Sequence, residues 1–129
     1  MKFLTELDVL DLSDCKQDRY VLQAPLVFDA GFATITAPIG FTTDYASVPR
    51  VPIIYLAYGS RAHKSATLHD YLYRIGADPH LTRDRCDWLF RESMLCSGHS
   101  WIVAYGMWLG VRLGGWPYYK KGVLNVQME

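Results

Sequence analysis

The sequence predicts an α+β fold in a single domain, with antiparallel β hairpins or a small sheet first and about three packed helices after. Three observations predict it. From Phe3 to about Tyr58 the chain is rich in β-branched and aromatic residues punctuated by Pro and Gly, the texture of short strands and turns. From Ala62 to Leu113 proline occurs once, at Pro79, and the apolar spacing becomes helical. The 129 residues are half apolar and 20% charged, which is enough to bury one core and suits residues 1–129 to one domain rather than two.

Element by element, Tyr20 to Phe28 and Phe32 to Thr36 read as strands joined by the turn formers Asp29-Ala30-Gly31, so the pair forms a hairpin. Ala37-Pro38-Ile39-Gly40 is a second turn. A short extended segment around Phe41 then leads into a loop from Thr42 to Pro52, whose course Pro49 and Pro52 constrain. Ser60 caps a helix from about Ala62 to Arg74, ended by Gly76, with Leu68, Tyr71, Leu72 and Ile75 as its apolar stripe. His69 lies off that stripe, on a side shared with Ala62, Ser65, Ala66 and Tyr73, where small residues allow a second element to approach. Thr82 caps the next helix, Arg83 to Cys96, whose stripe is Cys86, Leu89, Phe90, Ser93 and Met94, with Asp87 at its border. A third helix, Ser100 to Leu113, is apolar nearly all round and is expected to be buried. Its Gly106, Gly110 and Gly114 would let another backbone of the same domain pack closely. Gly114-Gly115-Trp116-Pro117 ends it, and Val123 to Val126 offers a last short strand.

Thirteen Lys and Arg balance thirteen Asp and Glu, so the chain lacks the charge for a broad nucleic-acid-binding face. Cys15, Cys86 and Cys96 fit neither a disulfide framework nor a CxxC zinc motif, and read as three free thiols in a reducing compartment. The start MKFLTELDVLDLSD, interrupted by Glu6 and Asp8, lacks the apolar run of a signal peptide. The most apolar run, Trp101 to Val111, is too short for a membrane span, which needs roughly 20 residues.

Three places could carry chemistry, each with a bland rival. In the loop Gly40 to Arg50, Asp44 could bind a metal, act as a base or orient a histidine, with Ser47 and Arg50 nearby; equally, Asp44 could cap a turn while Arg50 pairs on the surface. His69-Asp70 puts an imidazole and a carboxylate amid the apolar ALHDYLY; the bland reading is a satisfied core histidine with Asp70 paired to Arg74. Arg83-Asp84-Arg85-Cys86-Asp87 is most simply a solvated, ion-paired face, with Asp87 paired to Arg83 or Arg91 and Cys86 in the core.

The combination GFTTDYASVPR, then ATLHDYLYR, then TRDRCDWLFRESM and a segment ending VRLGG resembles a family of small phage and prophage proteins known only as a domain of unknown function. The resemblance covers roughly Gly31 to Gly115. It implies that Thr43, Asp44, Ser47, Pro49 and Arg50 in the loop, and His69, Asp70, Arg83 and Asp87 beyond it, belong to a recurring polar pattern, and it implies no reaction.

That pattern favours a common pocket. The first expectation is a metal-assisted hydrolase: Asp44, His69 and Asp87 hold Zn²⁺, Mn²⁺ or Mg²⁺, Asp70 is the alternative ligand or the general base, and Arg50 positions substrate. For a phage protein, made in the host cytoplasm, peptidoglycan, nucleotides and nucleic acid are the candidate substrates. The second is a non-enzymatic tail, virion or assembly component whose Asp, His and Arg residues form a structural network, with Gly115 to Tyr119 as a partner surface. A third is a host-directed binding protein.

Overall fold

The computed structural model describes residues 1–17, 19–44 and 63–119. In chain order these form β1 (Lys2–Phe3), β2 (Val9–Asp11), β3 (Tyr20–Leu22), β4 (Leu26–Asp29), β5 (Thr34–Ala37), β6 (Thr42–Thr43), α1 (His63–Leu72), α2 (Arg83–Cys96), α3 (Trp101–Gly114) and a 3₁₀ turn (Trp116–Tyr118). The order confirms the α+β class. The Ser60 cap and the Val123–Val126 strand lie outside the described residues.

The strands make two three-stranded antiparallel sheets, ordered β1-β4-β5 and β2-β3-β6. The β4-β5 hairpin pairs Leu26 with Ala37 and Phe28 with Ile35. These four side chains point to the core while Thr34 and Thr36 face out, the period-two alternation of a sheet covered on one face. Asp29 Oδ1 accepts the Gly31 amide at 2.9 Å, and Gly31 adopts φ +87°, so the hairpin turns on a residue without a Cβ.

Tyr20 to Phe28 is not one strand. It divides at 23–25 into β3 and β4, which join different sheets: the Leu22 amide bonds the Phe41 carbonyl, whereas the Val27 carbonyl accepts from Leu4. Pro25 has no amide to continue a ladder and disfavours compact conformations at Ala24, so the chain crosses between sheets there. β1 and β2, two and three residues long, carried no sequence signal of their own.

α2 matches the expected Arg83–Cys96 in full. Thr82 is its N-cap, accepting the Arg85 amide at 3.4 Å, and its expected stripe is buried. In α1 the stripe shortens: Leu68, Tyr71 and Leu72 are buried, but Ile75 lies beyond the helix end and is exposed. The small-residue side of α1 does meet a second helix, with Ser93 Oγ of α2 donating to Ser65 Oγ at 2.8 Å. One core joins Leu22, Leu26, Phe28 and Ile35 of the sheets to Leu68, Leu72 and Leu89; a second joins Phe90 and Met94 to Val103, Met107 and Val111 of α3.

α3 departs from its expected burial. Val103, Ala104, Met107 and Val111 pack inward, while Trp101, Ile102, Tyr105, Leu109 and Leu113 face solvent. Gly106 and Gly114 are exposed rather than covered. Among the described residues, the buried apolar neighbours of α3 are Phe90 and Met94 of α2 and Ala66 of α1, on one side of the helix. All three cysteines are free thiols, as expected. No helix among the described residues is long and apolar enough to cross a membrane.

Candidate functional site

Helical geometry assembles a polar cluster between the two cores. His69 on α1 and Tyr73, just past its end with its amide still bonded to the His69 carbonyl at 3.0 Å, are four residues apart and share a face. That face meets α2 at Asp87, and the last turn of α3 brings Arg112 to the same point. His69 and Asp87 are both 0% exposed, and His69 Nε2 lies 2.7 Å from Asp87 Oδ1. A carboxylate only accepts, so Nε2 carries the proton and donates. The Tyr73 hydroxyl also donates to Oδ1. Arg112 Nη1 donates to Oδ2 at 2.7 Å, and Arg83 Nε stands 3.9 Å from it. The imidazole is further fixed between the Tyr73 ring, 4.1 Å away, and the Phe90 ring, 4.9 Å away.

Burial by itself would raise the Asp87 carboxyl. The hydrogen bonds from His69, Tyr73 and Arg112 outweigh it and hold the group below the ordinary carboxylate range. The same environment raises the Tyr73 phenol, through burial first and its hydrogen bond to Asp87 second. Its hydrogen bond to Asp87 raises the Arg112 guanidinium. Arg112 Nη2 also binds Asp84 at 2.8 Å, and Arg83 Nη2 donates to the Val111 and Arg112 carbonyls at 2.8 and 2.6 Å, so it caps the end of α3. Two guanidinium groups and two carboxylates thus balance.

A second group adjoins this one. Asp70, next to His69 on α1, is 3% exposed and accepts a hydrogen bond from the Thr43 hydroxyl of β6. Burial pushes its carboxyl up to about 6, and the neighbouring Asp44 charge adds to the rise, while Thr43, His69 and Arg74 oppose it. Asp44 itself is exposed, at the end of β6. Asp44 and Asp70 therefore form an electrostatically coupled pair, one carboxylate in solvent and one carboxyl in the interior.

The structure brings together His69, Asp87 and Arg83, and places Asp44, Asp70 and Thr43 beside them. Ser47, Pro49 and Arg50 lie outside the described residues. The expected ligand set of Asp44, His69 and Asp87 is not assembled: among the described residues no group of three or more His, Cys, Asp or Glu side chains is placed to hold a metal ion. Asp87 in particular has its oxygens engaged by Arg112, Tyr73 and His69. Arg91, the other expected partner of Asp87, instead lies over the Tyr105 and Trp108 rings, 4.6 and 5.2 Å from their centroids. Cys86 is buried with its thiol raised by burial, in keeping with a core role.

Sequence reasoning gave no role to Tyr73 or Arg112. Both left a signal. Tyr73 is one turn beyond His69, and Arg112 is the sole charged residue of an otherwise apolar helix, where a charge requires a partner.

Fold and site together define an α+β protein built around an internal His-Asp-Arg cluster with a coupled carboxylate pair at its edge. The chain belongs to the family described as "Protein of unknown function (DUF1353)", which matches residues 20–111. Comparison with curated proteins and with solved structures found no match.

Proposed function

We propose that this chain is a hydrolase in which Asp70 transfers the proton, Asp44 supplies the solvent-facing carboxylate, and His69, held by Asp87, completes the site. The carrying observation is Asp70: a buried carboxyl raised to about 6, coupled to a carboxylate open to solvent. A group poised near neutral pH exchanges protons with a reacting group efficiently. We take the substrate to be peptidoglycan, in line with the resemblance to small phage and prophage proteins, and assign Arg50 the role of positioning substrate.

The repulsion between Asp44 and Asp70 is relieved by a proton on Asp70 or by a divalent cation with water completing its shell, for which Mg²⁺ and Mn²⁺ suit oxygen donors best. Dye release from labelled sacculi, with hydrolysis of a nitrophenyl phosphodiester as a second substrate, measures turnover, and its response to pH and chelation separates these cases. Asp70→Asn, Asp44→Asn and His69→Ala should each lower turnover at least 100-fold while the chain still melts cooperatively. Proton chemistry gives a rate inflection near pH 6 that survives chelation; cation chemistry gives loss on chelation and heat on Mg²⁺ titration. Wild-type chain inactive on both substrates, or variants that retain turnover, would overturn the proposal.

A second reading, a virion or assembly component, draws on Asp87. Its bonds tie α1, α2 and α3 together, as a purely structural network would. On that reading His69→Ala and Asp44→Ala change thermal stability and no turnover exists to lose.

A further inference from the structure

We propose that the outward face of α3 is the contact surface for a second copy of this chain. Trp101, Ile102, Tyr105, Leu109 and Leu113 run along one side of the helix, and Trp116 follows in the 3₁₀ turn. Trp101 is 68% exposed, Leu109 51% and Leu113 73%. Together these six side chains present on the order of 700 Å² of apolar area, close to the roughly 800 Å² that each partner contributes to a stable interface. Monomeric proteins seldom leave so large a contiguous apolar patch in water.

Charge selects the occupant. The helix holds no acidic residue, and its one basic residue, Arg112, is bound to Asp84 and Asp87. Arg91, at the rim, lies over Tyr105 and Trp108 and stands 3.7 Å from Glu92. Among the described residues of this face, then, no uncommitted cation is present to attract an anionic bilayer, and no charge pattern calls for a charged partner. An uncharged face meets a copy of itself without a desolvated, unmatched ion.

Shape agrees. Tyr105, Leu109 and Leu113 form an i, i+4 ridge, and Gly106, Gly110 and Gly114 form the parallel row beside it, a shallow groove. About a two-fold axis, the ridge of each copy lies in the groove of the other, the isologous arrangement in which one surface serves both partners. The surface is separate from the carboxylate pair and does not depend on the hydrolase reading.

Sedimentation equilibrium of the full chain between 1 and 200 μM tests it. The expected result is a reversible dimer, with Leu109→Glu and Leu113→Glu each weakening association at least 100-fold while circular dichroism and melting at low concentration are unchanged. Leu109 lies near the middle of the face, so Leu109→Cys in a Cys15→Ser, Cys96→Ser background should form a disulfide to its own copy under mild oxidation, a result that does not require the Glu variants to fold. A chain that stays monomeric throughout overturns the proposal. So does a dimer that persists in both Glu variants, or a monomer that sediments with phosphatidylglycerol vesicles through this face.

Discussion

Asp70 makes the sharpest residue-scale prediction, because its chemistry opposes its stability. Its native carboxyl is raised to about 6 from an ordinary 3.8, so the folded chain holds more protons than the unfolded chain between those values. Stability linked to this group is therefore full below about pH 4 and is lost as pH rises through 6. At one pH unit per 1.36 kcal/mol, Asp70→Asn should stabilise the fold by about 2–3 kcal/mol at pH 7.5, with no gain below pH 4. Urea melts at the two pH values check this; a variant less stable at pH 7.5 would contradict it. Asp87 behaves oppositely. Its carboxyl is lowered, so its contribution is present above the ordinary carboxylate range and lost as the solution is acidified through its native value. Asp87→Ala removes the acceptor of Tyr73, leaves Arg83 without its carboxylate and leaves Arg112 with the exposed Asp84 alone, and should cost about 3–5 kcal/mol at neutral pH. Chemical denaturation measures this, and a loss under 1 kcal/mol would show that the cluster contributes little.

The elements differ in what holds their ends. Thr82 and Ser100 cap α2 and α3 by accepting amides, each at 3.4 Å. Such long bonds place Thr82→Ala and Ser100→Ala at the low end of capping effects, about 0.5–1 kcal/mol by thermal melting. The end of α3 is held more firmly, by the charged bonds of Arg83 to two carbonyls. Arg83→Met should cost about 1.5–3 kcal/mol and raise amide exchange in the last turn of α3 before it does so in α1. α2 was legible in the sequence to the residue because cap, stripe and terminal Gly98 all agree. The β4-β5 hairpin was legible because its alternation and its Asp29-Gly31 turn agree. β1 and β2 were not, since strands so short are defined by the partner they bond and not by their own pattern. The division of Tyr20–Phe28 had one signal, Pro25, outvoted by the apolar residues on both sides.

At the scale of the molecule, spacing along single helices revealed His69, Asp70 and Asp87 as candidates, because polar residues stood beside apolar stripes. It could not reveal their partners. Arg112 is 25 residues from Asp87 and Thr43 is 27 from Asp70, so those pairings exist only once helices and sheet have packed. The exposed side of α3 was illegible for the complementary reason: composition shows that a helix is apolar all round but not how many neighbours the fold provides.

Arg112 also sets an order of events. α1 and α2 can bring His69 and Tyr73 against Asp87 as soon as residues 63–96 have emerged from a ribosome, yet the carboxylate then has Arg83 at 3.9 Å without the 2.7 Å bond from Arg112, and the second core is missing its α3 half. Docking of the last turn of α3 supplies both. A truncated chain ending before residue 112 would therefore keep only the longer Arg83 pairing of Asp87 and half of the second core, and limited proteolysis should cut it faster than the full chain.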